Sequence, residues 1–144
     1  MARRPAAPLL RLLSSSFKRS RARLQRELDE QGVHAGQDYL IEVLSEEEEG
    51  LTVGEIAERL GVEVPTVVRT AQRMEASGLV TKERDPRDRR RSRIVLTERG
   101  RAVEPAVRAA LRDLERSAMR GLSAAERAQL LDLLARVRTN LGDR

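Results

Sequence analysis

The sequence contains no cysteine. That excludes disulfides, thiolate metal sites, a cysteine nucleophile and redox sensing by a thiol. His34 is the single histidine, so a histidine-rich metal centre is not expected. Aromatic side chains are limited to Phe17 and Tyr39. Proteins that read RNA or single strands stack bases on aromatic rings, so a nucleic-acid partner of this chain is expected to be duplex DNA. With so few rings the core has to rest on Leu, Val, Ile and Ala, which suits helices. No apolar run approaches the ~18 residues of a membrane-spanning helix. The opening Met1-Ala-Arg-Arg-Pro carries positive charge, but the apolar stretch behind it is broken at Arg11 and makes a poor secretory leader. The chain therefore reads as cytoplasmic, with no membrane partner. It also lacks a Ser, His and acid set, a Gly-rich phosphate loop and a metal-ligand cluster, so neither an enzyme nor a bound metal or cofactor is expected.

What the sequence has is charge. Its 28 Lys plus Arg exceed its 23 Asp plus Glu, a formal net charge of +5 over 144 residues. A basic balance favours polyanionic partners, though the distribution along the chain says more than the total. The length suits one domain, 1–144.

Residues 1–8, with two prolines and two arginines, read as a loose arm. From Leu9 a helical pattern sets Leu13, Phe17, Leu24 and Leu28 on one face, and Gly32 ends it. A second helix is expected over Gln37 to Ser45. The run Glu46-Glu47-Glu48-Glu49 reads as a solvated loop, since cation sites need ligands converging from several directions. Thr52-Val-Gly-Glu55 is a capping box that opens a short helix with Ile56, Ala57 and Leu60 inward. Gly61 supplies a tight turn. Val64, Val67, Ala71 and Met74 then form a third apolar series that stops at Gly78. Two short helices joined by a glycine turn are the helix-turn-helix pattern.

Leu79 to Arg84 and Arg93 to Thr97 read as two strands of a hairpin around the charged tip Asp85 to Ser92. Thr97 caps a long helix striped by Val103, Val107, Leu111, Leu114 and Ala118. Pro105 either bends that helix or marks its real start. Ser123-Ala-Ala-Glu126 is a second capping box, and the helix it opens carries Leu130, Leu134, Val137 and Leu141, widened by Leu131 and Leu133.

On a 3.6-residue wheel, Val67, Ala71 and Met74 point one way. Pro65, Thr66, Val68, Arg69, Gln72 and Arg73 point the other. That outer face suits the major groove, where Arg donates twice to guanine, Gln pairs with adenine, and Thr or Val touches the thymine methyl. An ordinary amphipathic surface helix would show the same periodicity. The hairpin separates the two readings. Arg84, Arg87, Arg89, Arg90, Arg91 and Arg93 crowd it, opposed only by Glu83, Asp85 and Asp88. A charge run is usually a solvated face. On a hairpin directly after a helix-turn-helix it is placed as a wing against phosphates or in a minor groove.

The stretch from Leu51 to Gly100 resembles the winged helix of the MarR (multiple-antibiotic-resistance regulator) family. LTVGEIAERLGV, PTVVRTAQRMEASGLV and DPRDRRRSRIVLTERG carry the resemblance. The last is the most specific, an Asp-x-x-Asp-x-Arg tip followed by an alternating strand and Leu-Thr-x-x-Gly. The resemblance implies a mainly α fold with a small β-hairpin wing. The winged lobe, 35–100, would be flanked by dimerisation helices at 1–34 and 101–144. It makes Arg90 the minor-groove arginine, Asp88 its brace, and Thr66, Arg69 and Arg73 recognition-helix residues. Glu63 and Val68 depart from the pattern, since many members carry Ser or Thr there, and this unsettles the usual base contacts.

The resemblance further implies a homodimer. Leu9, Leu10, Leu12 and Leu13 at one terminus and Leu130, Leu133, Leu134, Val137 and Leu141 at the other exceed what a winged helix must bury. It also implies a cleft for small anionic aromatic compounds between the dimer helices and the lobe. Candidate lining residues are Phe17, Arg21, His34, Tyr39, Val43 and Leu111. Phe17 and Tyr39 fit a plain core role equally well, and His34 a plain surface one. The expected function is a homodimeric repressor on a pseudo-palindromic operator, released by a ligand. The alternatives are an architectural DNA binder of low specificity and a winged helix used for protein contacts.

Overall fold

The computed structural model describes residues 7–142, so most of the expected arm at 1–8 lies outside the described residues. Six helices and one antiparallel hairpin follow in the order α1 (Pro8–Asp29), α2 (Gln37–Ser45), α3 (Val53–Leu60), α4 (Val64–Ala76), β1 (Val80–Arg84), β2 (Ser92–Leu96), α5 (Glu98–Ala118) and α6 (Ala124–Gly142). The chain divides into two compact units, Met1–Leu111 and Arg112–Arg144.

The first unit holds the core. Leu24 and Leu28 of α1, Ile41 and Leu44 of α2, Ile56 of α3, Val67 and Met74 of α4, and Ile94 of β2 are all essentially inaccessible. Burial of such side chains is worth ~1.5–3 kcal/mol each, which is what makes these short helices stable. The starts of α3, α5 and α6 are built locally. At α3 the Thr52 hydroxyl accepts from the Glu55 backbone N–H at 3.3 Å, and the Glu55 carboxylate accepts from the Thr52 N–H at 2.8 Å. These bonds hold the Glu55 carboxyl below its ordinary pKa. Gly61 closes α3 in the left-handed region, at φ +63, a conformation cheap only for glycine.

The α4 helix ends with the Gly78 N–H on the Glu75 carbonyl at 3.0 Å and the Leu79 N–H on the Met74 carbonyl at 2.8 Å. Because Leu79 still satisfies the helix end, β1 starts one residue later than the periodicity suggests. It pairs with β2 in the register Val80↔Leu96 to Arg84↔Ser92. Leu51 bridges the other edge of β2 through Ile94, with bonds of 3.1 and 2.7 Å. The backbones meet so closely that a side chain on Gly50, itself at φ +72, would collide with the Ile94 carbonyl. Likewise a side chain on Gly100 would collide with the Leu79 carbonyl, so α5 lies directly against the start of β1.

Thr97 caps α5, its hydroxyl accepting from the Gly100 N–H at 3.1 Å and donating to the Gly78 carbonyl at 2.6 Å. The helix runs continuously through Pro105, so that residue is not its start. Pro105 has no N–H to offer the Arg101 carbonyl one turn back.

In the second unit, α6 opens with the other capping box. Ser123 and Glu126 exchange bonds of 2.7 and 3.2 Å. None of its residues is fully buried, and Val137 is half-buried. Among the described residues no helix is long and apolar enough to cross a membrane.

Candidate nucleic-acid interface

The inner face of α4 is Val67, Ala71 and Met74, each buried. Their burial fixes the rotation of the helix and so decides which residues face out. Pro65, Thr66, Arg69, Gln72 and Arg73 are exposed, and Val68 is half-buried. The two arginines have no acidic partner within 4.0 Å among the described residues. Thr70 turns back to donate to the Thr66 carbonyl at 3.0 Å and contributes little to that outer face.

The hairpin has two different parts. At its base Asp85 is buried, although it is a charged residue beside a surface loop. Its carboxylate accepts from the Arg93 Nε at 2.9 Å and from the Arg87 backbone N–H at 2.8 Å. The Asp85 N–H closes the loop on the Arg91 carbonyl at 2.9 Å. Arg93 also donates to the Gly50 carbonyl at 3.1 Å, tying the wing to the segment before α3. The Arg87 N–H and the Arg93 guanidinium together hold the Asp85 carboxyl below its ordinary pKa, and Asp85 raises that of Arg93. This pair is a clamp, since burying a charge is tolerable only when it is paired and hydrogen-bonded.

The tip behaves otherwise. Arg84, Arg87, Arg89, Arg90 and Arg91 are all exposed. Among the described residues, Arg87 alone of these has an acid within 4.0 Å, Glu49 at 3.9 Å. Asp88 accepts from the Arg90 backbone N–H at 3.0 Å. The brace expected of Asp88 is therefore to the main chain and not to the guanidinium. It shapes the turn that carries Arg90 and leaves the Arg90 side chain free.

The sequence places Asp85 and Arg93 in the charged hairpin but does not mark them as a pair. The available signal was Asp85 at a strand end two residues before Arg87, the spacing at which an aspartate caps its own turn. The partner across the hairpin, Arg93, became identifiable only with the register.

The expected ligand cleft is not gathered in this structure. Arg21 is engaged by Asp38 through two bonds of 2.7 and 3.1 Å, with Asp38 fully buried. Its guanidinium also lies 5.0 Å from the centroid of the Tyr39 ring. Arg21 is thus committed to a structural ion pair, because leaving the Asp38 charge buried and alone would cost far more. Phe17 is 60% exposed, off the core stripe expected for it, and His34 and Tyr39 are exposed as well. Val43 is half-buried. Leu111 lines a crevice with Ile41, Glu42, Glu104, Val107 and Arg108 that has no room for a water molecule, and none of the other five candidates lines it.

The glutamate run is engaged at two points, Glu47 with Arg59 at 2.6 Å and Glu49 with Arg87 and Arg93 at 3.9 Å. Among the described residues no cluster of His, Asp or Glu is arranged to hold a metal ion.

Comparison with known proteins gives a consistent picture. A family model described as "MarR family" matches residues 32–91. The solved structure of the transcriptional regulator SlyA is 30% identical, with a TM-score of 0.82 over 93% of this chain and 94% of that one. A MarR family transcriptional regulator from Listeria monocytogenes, solved in complex with a 26mer DNA, is 22% identical, with a TM-score of 0.80 over 92% and 88% of the two chains. CouR from Rhodococcus jostii RHA1, solved bound to p-coumaroyl-CoA, is also 22% identical, with a TM-score of 0.80 over 94% and 95%.

Proposed function

The chain belongs to the MarR family of transcriptional regulators, and from that premise we propose that it is a sequence-specific duplex-DNA-binding homodimer that represses transcription in the cytoplasm. The α4 helix enters the major groove with Thr66, Val68, Arg69, Gln72 and Arg73 toward the bases and Pro65 at the helix start. The wing lays Arg84, Arg87, Arg89 and Arg91 along the phosphates and Arg90 into the adjacent minor groove, with Asp88 shaping its turn. The observation that carries this reading is the set of exposed arginines, Arg69 and Arg73 on α4 and Arg84, Arg89, Arg90 and Arg91 on the wing, with no acid within 4.0 Å among the described residues. Free guanidinium groups gain most from releasing the counterions of DNA.

Two copies are needed to read a pseudo-palindrome, with recognition helices about one DNA turn, ~34–36 Å, apart. Exposed leucines on α1 and α6 supply the apolar surface for that pairing. The helices at 1–34 and 101–144 form the interface and 35–100 the DNA lobe, although Leu24 and Leu28 also serve the core. CouR holds a coenzyme A thioester. By analogy, a small anionic or aromatic effector releases this protein from its operator by binding better to the geometry that does not fit DNA. Such a site has to form around the Arg21–Asp38 pair, since that guanidinium is already taken.

Fluorescence anisotropy on the duplex upstream of the protein's own gene tests the reading, run beside a scrambled duplex over a salt series. Preference for the upstream duplex that weakens in Arg90→Ala is the expected result. Equal binding to both, with a steep salt slope, identifies an architectural binder of low specificity, which the arginine-rich tip would also serve. No binding to either at low salt overturns the DNA reading in favour of a protein-contact module.

A further inference from the structure

Glu63 holds the N-cap position of α4 and does not cap it. Its carbonyl accepts from the Thr66 N–H at 2.9 Å and the Val67 N–H at 3.4 Å. Its side chain makes no bond to the helix backbone. Both capping boxes of the chain do the opposite, with Thr52 and Ser123 turned onto the third N–H of their helices. The Glu63 carboxylate is exposed and has no cation within 4.0 Å among the described residues. Val62 and Val64 on either side are also exposed, at 41% and 42%. By helical spacing Glu63 heads the row that continues through Thr66 and Arg73. The leading end of the proposed reading helix is therefore an exposed carboxylate, unpaired among the described residues, between two exposed valines.

Such an acid is poorly explained by helix stability. A shorter Ser, Thr or Asp would cap the helix and still suit its positive end. Against DNA an uncompensated carboxylate is repelled by phosphates. The base edges in the major groove offer one environment that reverses the sign. Guanine presents two acceptors, and thymine an acceptor and a methyl. Adenine pairs its donor with the N7 lone pair, which repels a second acceptor. Cytosine presents its N4 amino donor alone. The N-terminal residues of recognition helices are the ones that approach base edges.

From these observations we infer that Glu63 is a specificity-determining residue that accepts a hydrogen bond from the N4 amino group of a cytosine in each half-site. The inference rests on the DNA-binding function proposed above. It goes beyond that function by naming a base and the atom that reads it.

Selection from a randomised duplex library, with affinities of selected duplexes measured by anisotropy, tests it on the full-length protein. Wild type, Glu63→Ala and Glu63→Gln are compared, after melting curves establish that all three fold. Wild type is expected to retain a cytosine whose replacement by adenine weakens binding about tenfold, within the range of one base contact. Glu63→Ala is expected to bind both duplexes within about twofold. Glu63→Gln is expected to reverse the preference, because a carboxamide pairs with N6 and N7 of adenine. A residue that acted only on helix stability would not move base preference. If all three proteins keep the same preference and differ by a uniform factor, Glu63 only repels phosphate and the inference fails while DNA binding stands. If wild type selects no cytosine at a position sensitive to residue 63, the inference fails in the same way. If wild type retains no duplex at all, the DNA-binding proposal fails first and takes this one with it.

Discussion

The α4 and α6 helices make opposite use of similar apolar content. The α4 helix buries Val67, Ala71 and Met74 and turns Arg69, Gln72 and Arg73 outward. The α6 helix begins on a complete capping box, which α4 lacks, yet Leu130, Leu131, Leu133, Leu134 and Leu141 stay between 36% and 69% exposed. Local capping therefore does not decide which helix fills a core, since the uncapped α4 does and the capped α6 does not. Only α4 has a core to fill, so its outer face is left for polar work. On α6 the leucines themselves are exposed, and they are the apolar surface offered to the proposed partner copy.

The sharpest way to break the contrast is on the buried side. Met74→Ala removes a side chain with no accessible surface and should lower unfolding stability by about 2–5 kcal/mol, read by urea denaturation at fixed protein concentration. A loss below about 1 kcal/mol would mean that the inner face of α4 is not the support described. The matching change on α6, Leu130→Glu with Leu134→Glu, should weaken self-association by about 2 kcal/mol or more, as truncation of interface anchors does. Sedimentation velocity over a concentration series reads it, with unchanged helix content by circular dichroism. Association as tight as wild type would remove α6 from the proposed interface.

Arg69→Ala sharpens the other half of the comparison. On an exposed face it should leave stability within about 0.5 kcal/mol and lower operator affinity by about 1–3 kcal/mol. Equal loss on every duplex would make Arg69 a phosphate contact instead of a base reader. The smallest effect concerns the wing base. Hydrogen bonding holds the Asp85 carboxyl below its ordinary value of 3.8. The ionised form is therefore the one the fold prefers. Its contribution is complete above about pH 4–5 and fades as the pH falls through the lowered value. The melting temperature of Asp85→Asn should approach that of wild type as the pH drops from about 6 to 3. Parallel curves over that range would show that the Asp85–Arg93 pair does not couple to folding.

The wing repeats the lesson on a smaller scale. Its base is an ion pair shielded from solvent and its tip is a set of exposed arginines, though both come from one stretch of alternating charge. The stretch was readable as a charged hairpin because strands flank it. Which aspartate would clamp and which would only shape a turn depended on the strand register, which sets Glu83 opposite Arg93 and brings Asp85 to the Arg93 Nε. For the same reason the partner of Arg21 is not legible in the sequence. Its sequence position on α1 says nothing of Asp38, which reaches it from the start of α2 and turns a candidate ligand contact into part of the framework.

By itself the sequence determined the order of the elements, both capping boxes, the glycine turns and the inner stripe of α4. Each depends on contacts within a few residues or on a 3.6-residue period, and these are present in the chain before it folds. The family resemblance follows from that same local order. The tertiary structure alone decided that Asp85 and Arg93 form a clamp, that Arg21 is spent on Asp38, and that Gly50 and Gly100 sit where backbones nearly touch. Those outcomes depend on pairing across long chain separations and on the desolvation of particular charges, neither of which has a period to read.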